Sequence, residues 1–290
     1  MSLYALLWQP FADFAFMRHA LVGCLALGLG CAPIGLFLVL RRMSLMGDAM
    51  SHAILPGTAI AFIAYGLSLT AMSIGGLLAG LVVVLAAGMV TRTTQLKEDA
   101  SFAAFYLVSL ALGVLLVSKW GSNVDLMHIL FGSVLAVDEL ALTFLASVAT
   151  ITLLVLAMLY RALAVESFDP DFLRAARGRG AWVHFIFLIL VVLNLVAGFQ
   201  ALGTLMAVGL MMLPAASARL WTKSLTVMLL IAMGIALCAG YLGLLASYHG
   251  NLPSGPAIIL TAGVAYFASL LFGGNGGLLW RWRKGRHLSA

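Results

Sequence analysis

Residues 41–57 read RRMSLMGDAMSHAILPG, and the apolar run AIAFIAYG follows close behind. Two arginines open the stretch, a carboxylate and an imidazole sit inside it, and Pro56 and Gly57 close it. A helix begun at Arg42 and rising 1.5 Å per residue carries Asp48 about 9 Å inward and His52 about 15 Å. That depth is near the middle of a hydrocarbon core roughly 30 Å thick. Asp48 is the one acid of ten that lies within a long apolar stretch; the other nine fall in or beside polar breaks. A carboxylate at membrane depth costs on the order of 3 kcal/mol, so its presence points to function. The spacing of four puts Asp48 and His52 on one helical face. Carboxylate oxygen and imidazole nitrogen are both ligands for a divalent transition metal. A bland reading, a polar cluster with Ser44 and Ser51 that glues helices, would not need a carboxylate. Ser51 lies within the same turn. Pro56 kinks the helix and frees carbonyls to line a cavity, so both are pathway candidates. Two ligands bind weakly, and a conduit needs weakness because the ion must leave. Two copies meeting across a two-fold axis would gather two Asp and two His, an N2O2 set suited to Zn2+ or Mn2+.

Working outward, the same character fills the chain. It has 290 residues, 63% hydrophobic and 9% charged, with a mean hydropathy of +1.12. Soluble domains carry far more charge. Nine stretches read as membrane helices: 17–40, 43–65, 72–90, 102–117, 140–160, 182–198, 204–220, 225–246 and 257–272. A short apolar piece at 124–137 widens the range to eight to ten spans. The fold class is therefore all-α, a polytopic transmembrane bundle. Alternating β-barrel segments do not occur. Residues 1–290 read as a single transmembrane domain. Its appendages are an interfacial segment at 1–16, a cytoplasmic loop at 161–181 and a basic tail at 273–290. The start has no basic n-region and is interrupted by Pro10 and Asp13, unlike a cleavable signal peptide. Trp8 and its phenylalanines suit the headgroup level.

Fourteen of the sixteen Lys and Arg fall at alternate loops that would share one side; Arg18 and Lys119 fall on the other. The positive-inside rule makes the richer side cytoplasmic. The net charge of +6 thus reports orientation and membrane lipid, with no nucleic acid implied. Nine spans would leave the N-terminus outside, while Arg18 and His19 pull the other way. Cys24, Cys31 and Cys238 lie in apolar spans without metal spacing and read as small packing residues.

Three other constellations carry information. In ESFDPDFLRAARGRG, residues 166–180, Asp169 and Pro170 make a helix start with Asp171 in its first turn. Phe172 falls on an apolar side and Arg174 elsewhere. A short amphipathic cytoplasmic helix of this kind docks a partner as readily as it serves as a solvated loop. HGNLPSGPAIIL, residues 249–260, is satisfied as a turn and helix start, with His249 a lesser metal candidate. DLMH sets Asp125 and His128 three apart at an external edge, where a surface pair is the plainer reading. His184 starts a span near the cytoplasm and reads as an interface residue. No GxxxxGK[ST] is present, so the chain is not itself a P-loop ATPase. The absence of HExxH and of GxSxG with triad partners weighs against a membrane protease. The chain therefore does not read as an enzyme.

The quoted residues resemble a known family. RRMSLMGDAMSHAILPGTAIAF, DLMHILFG, FDPDFLRA, LGTLMAVGLMMLPAASARL and LPSGPAIIL, in that order, are similar to landmarks of the metal-type ABC transporter permeases. Those are the membrane subunits of bacterial zinc, manganese and iron importers. The resemblance implies a type II-like importer fold in the bacterial inner membrane. It also implies a homodimeric pathway, two cytoplasmic ATPase subunits and an extracytoplasmic metal-binding protein. It makes Asp48 and His52 metal ligands of the pathway. It makes the stretch holding Asp169, Asp171, Phe172 and Arg174 the docking helix for the ATPase. No cofactor is bound permanently; Zn2+ or Mn2+ is cargo, and the lean is to zinc. A permease for chelates such as siderophores or cobalamin shares the fold but wants a wider, less charged path. An intramembrane metalloenzyme would need further in-membrane ligands.

Overall fold

The computed structural model describes residues 3–66, 68–95, 98–120, 137–168 and 180–279, and all the regular structure in them is helical. Two short helices, α1 (Leu3–Leu7) and α2 (Gln9–Asp13), precede the long α3 (Ala15–Leu40). Then come α4 (Met46–Ala53), α5 (Leu55–Tyr65), α6 (Leu69–Thr93) and α7 (Glu98–Trp120). The second half holds α8 (Glu139–Phe168), α9 (Gly180–Leu202), α10 (Thr204–Arg219), α11 (Leu225–Gly250) and α12 (Ser254–Phe272). Seven of these are long and apolar enough to cross a membrane; α10 is a shorter apolar helix. The pair α4 and α5 covers the expected span 43–65 as two pieces. Each of the nine expected spans meets a helix or helix pair, because 20 apolar residues can satisfy their backbone in lipid in no simpler way.

α3 and α9 are the central columns: 78% and 72% of their most apolar windows are buried, against 22–39% for the other five long helices. Around α3 pack α8, α10 and α11, with α12 against α10 and α11. α5, α6 and α7 pack on one another, and α9 joins them to the body through α6. In lipid, helices associate by close van der Waals contact between small residues. The buried face of α3 accordingly carries Ala20, Gly23, Cys24, Gly28, Gly30, Cys31 and Gly35. Cys24 and Cys31 are thus packing residues, whereas Cys238 is exposed. The outer faces of α6 and α12 are stripes of large apolar residues: Ile74, Leu78, Val82, Leu85 and Met89 on one, Leu260, Val264, Phe267 and Leu271 on the other. Inside the body, Asn194 of α9 donates to Thr152 Oγ1 of α8 at 2.6 Å, which keeps its amide paired at full burial.

Side-chain bonds fix which helix ends lie together. Arg41, at the end of α3, meets Glu166 near the end of α8 and His184 near the start of α9. Arg219, ending α10, donates to the Val39 carbonyl at 3.1 Å. These arginine-bearing ends form the cytoplasmic side by the positive-inside rule. The N-terminus lies at the opposite end. Tyr241 of α11 donates to the Leu7 carbonyl at 2.9 Å, Phe11 stacks on Tyr241 at 5.3 Å, and Phe14 meets Tyr248 at 5.8 Å. Arg18 donates to the Ala12 carbonyl at 3.0 Å. One expected boundary changes. α8 runs on to Phe168, eight residues past the expected span end, because Ser167 and Glu166 are held by partners. Asp169, Asp171, Phe172 and Arg174, like Asp125 and His128, lie outside the described residues.

Candidate metal pathway

The turn before α4 sets where that helix starts. Arg42 has φ 61°, a left-handed conformation, and the amides of Arg42 and Met43 bond back to the carbonyls of Val39 and Leu38 at 3.2 and 2.9 Å. That is the double bond pattern of a Schellman turn, with arginine where glycine is usual. α4 therefore starts at Met46, not at Arg42. Asp48 lies in its first turn and His52 in its last. The short helix suits both groups: its amide end favours the carboxylate, and its carbonyl end favours a cation near His52.

The break after Ala53 is built from two residues. Pro56 is in the first turn of α5, where it can stand because a first-turn amide has no helical partner. It removes the amide that would bond the His52 carbonyl in an unbroken helix, and the Ile54 amide turns to that carbonyl instead. The Ala53 carbonyl accepts from Ser109 Oγ of α7 at 3.0 Å. Behind the break, α5 crosses α6 with Gly57 against Gly75; each lies where the other's Cβ would fall. This near-contact of backbones holds α5 in place.

His52 Nε2 is 3.8 Å from Asp48 Oδ1. Two metal bonds of about 2.1 Å at a tetrahedral angle span roughly 3.4 Å between donors, so a small rotation admits a cation between them. The imidazole stacks on Tyr106 of α7, with ring centroids 6.4 Å apart. Its Nδ1 is buried without a hydrogen-bond partner among the described residues. Metal-binding histidines are usually oriented by a hydrogen bond at the second nitrogen. A ring held by stacking alone turns more easily and binds less tightly. Ser51 is buried and donates to the Asp48 carbonyl at 2.7 Å, so its hydroxyl stiffens α4. Pro56 is half-buried at the break. Asp48 is 63% exposed and His52 28%, so the pair looks outward from one chain. Among the described residues no group of three or more His, Cys, Asp and Glu gathers to hold a metal.

His249 is drawn away from any such role. Its Nε2 donates to the Leu6 carbonyl at 2.9 Å. Sequence reasoning missed Tyr106 and Ser109, whose sole signal is a tyrosine and a serine in an apolar helix. It also missed that His184 and Glu166 meet.

Among the described residues, seven long apolar helices, one shorter one and a proline-broken helix that carries a carboxylate–imidazole pair make this a polytopic helical membrane protein with a candidate metal site. The comparisons with known proteins agree. The model of the ABC 3 transport family matches residues 13–273, and the chain belongs to that family. It is 36% identical to the manganese import system permease protein ScaB of Streptococcus gordonii, over 90% of this chain and 92% of that one. It is 32% identical to the chelated iron transport system membrane protein YfeD of Yersinia pestis, over 93% and 89%. The solved structure of PsaBC from Streptococcus pneumoniae in complex with Fab superposes with a TM-score of 0.83. That match is at 31% identity and covers 96% of this chain and 98% of that one. The chain is thus the membrane subunit of a metal-type ABC transporter, a multi-pass protein of the bacterial inner membrane, and not an enzyme.

Proposed function

We propose that this permease carries a divalent transition-metal ion inward, manganese first among the candidates, along a path lined by Asp48 and His52. The pair itself carries the reading: two metal-type donors 3.8 Å apart on a helix that crosses an apolar bundle. A lipid-facing carboxylate at that place would be untenable, so the exposed side of Asp48 needs water, metal or a second chain beside it. A second copy across a two-fold axis would supply both cover and two more donors. The names of the quoted relatives speak for manganese and for chelated iron; none names zinc, so the lean to zinc loses its ground. An ionised carboxylate at the path favours a bare cation over a bulky chelate.

On this reading residues 1–290 work as one permease domain, with 1–16 at the outer interface and 273–290 as a cytoplasmic tail. Two separate ATPase chains dock on the stretch holding Asp169, Asp171, Phe172 and Arg174. An external binding protein delivers the ion. Ser51 and Pro56 shape the path from behind, through the helix they stiffen and end.

The test is ATP-driven uptake into vesicles holding the permease, its ATPase and its binding protein, with Mn2+, Zn2+ and Fe2+ offered in competition. Asp48→Asn should abolish accumulation while ATP hydrolysis persists, and the ion accumulated by wild type names the cargo. Undiminished uptake by Asp48→Asn would take Asp48 out of the path.

A further inference from the structure

Arg41, Glu166 and His184 meet at the cytoplasmic end of the bundle, and the mechanism above uses none of them. Arg41 NH2 lies 3.0 Å from Glu166 Oε2 and NH1 3.3 Å from Oε1. This is a two-pronged pair, with side chains 7% and 10% exposed. Arg41 Nε donates to Ser167 Oγ at 3.4 Å. The guanidinium sits 4.4 Å over the Phe187 ring. His184 Nδ1 is 3.1 Å from Glu166 Oε1 and 3.1 Å from Arg41 NH1. Its proton decides which it bonds: a protonated Nδ1 donates to the carboxylate, a bare one accepts from the arginine.

The three residues come from three helices, and their places in the chain matter. Glu166 and Ser167 stand three and two residues before Asp169. His184 and Phe187 stand on the helix that begins at Gly180. Both flanks of the stretch assigned to ATPase docking are therefore held by one guanidinium. That guanidinium belongs to the last residue before the Schellman turn into α4, five positions from Met46. The turn is stiff, with the Arg42 and Met43 amides both bonded back into α3. α9, which supplies His184 and Phe187, also packs directly on α4.

We infer that Arg41, Glu166 and His184 form the joint that passes movement of the docking stretch to the helix bearing Asp48 and His52. A buried pair held by Ser167, His184 and the Phe187 ring cannot slide as a surface pair does. When the flanks of the docking stretch shift, Arg41 shifts with them, and the turn pulls the start of α4. These are positioning residues. They touch neither metal nor ATP.

The inference rests on the proposed importer function and is tested in the same vesicles by the number of metal ions moved per ATP hydrolysed. Glu166→Gln keeps size and an acceptor but drops the charge. The ratio should fall roughly three- to tenfold, in line with the coupling changes that single residues between two sites produce. Hydrolysis should also lose its dependence on the metal-loaded binding protein. Arg41→Lys, which keeps charge but loses the fork and the ring contact, should fall in between. A purely structural role would lower the yield of assembled complex and leave the ratio per complex unchanged. If Glu166→Gln does not assemble, His184→Gln is read in its place. An unchanged ratio in the assembled variants, with wild type importing metal, overturns the joint. Wild type that hydrolyses ATP and imports no metal overturns the importer reading instead.

Discussion

Replacing Glu166 by Gln isolates the energetics of the cytoplasmic pair from its transport role. At 7% and 10% exposure the pair lies outside the surface regime, where an ion pair contributes about 0–1 kcal/mol. Removing one member of a buried pair costs about 3–5 kcal/mol because the other charge is left without compensation. Glutamine retains one acceptor, and Arg41 keeps Ser167 and Phe187, so the lower figure, about 3 kcal/mol, is expected. Melting points of chains this long move by about 2–4 °C per kcal/mol, which predicts a drop of about 6 °C or more. The double variant Arg41→Met with Glu166→Leu removes both charges, and buried pairs replaced by apolar residues are commonly neutral or stabilising. It should melt at or above the wild-type temperature. Helical circular dichroism in detergent, followed with temperature for wild type, Glu166→Gln, the singles Arg41→Met and Glu166→Leu and their double, reads the whole cycle. Two results would refute the reasoning. One is Glu166→Gln melting within about 1 °C of wild type; the other is a double variant that loses the sum of the two singles.

Substitutions at two further positions test the frame around the site. Gly57→Ala puts a methyl group onto the Gly75 carbonyl; overpacking of about 1–3 kcal/mol should lower the melting point and spread α5 from α6. Arg42→Gly relieves a left-handed residue and should raise stability by about 1 kcal/mol, while Arg42→Val should lower it below wild type. Melting curves that rank Val level with Gly would remove the turn from the account.

The spans and the helix break were legible because each follows a local rule. Apolar length reports a span, and Pro56 next to Gly57 reports a break. The start of α4 was not legible, because the turn that sets it hides its usual signal: Arg42 stands where a glycine would announce it. The run of α8 through AVESF was also hidden. By hydropathy those residues are loop, and what keeps them helical is a guanidinium 125 positions earlier in the chain. The same distance explains why Glu166 read as a loop acid and His184 as an interface residue. Neither has a sequence neighbour that betrays its partner. The place of the N-terminal segment, left balanced by Arg18 and His19 against the span count, follows from its packing on the tyrosines of α11.

The exposure of Asp48 ties site and assembly together. α7, α9 and α10 pack against α4 and bury Met46, Ala49, Met50 and Ala53, so α4 is firmly seated on one side. The other side presents a carboxylate and part of an imidazole to whatever lies beyond the chain. Were that medium lipid, the carboxylate would stand there at a cost on the order of 3 kcal/mol. On the proposed reading a second copy lies there. One chain then contributes one oxygen and one nitrogen donor, too few to trap an ion, and two chains contribute four. Affinity would thus depend on how closely two α4 helices approach. Spreading them would release the ion without any ligand having to turn away. Each α4 hangs between a stiff turn at Arg41–Arg42 and a break latched by Ser109. A pull at the turn can therefore tilt the helix against its hinge. On that reading metal release would follow from cytoplasmic movement, with the same four donors serving for capture and for release.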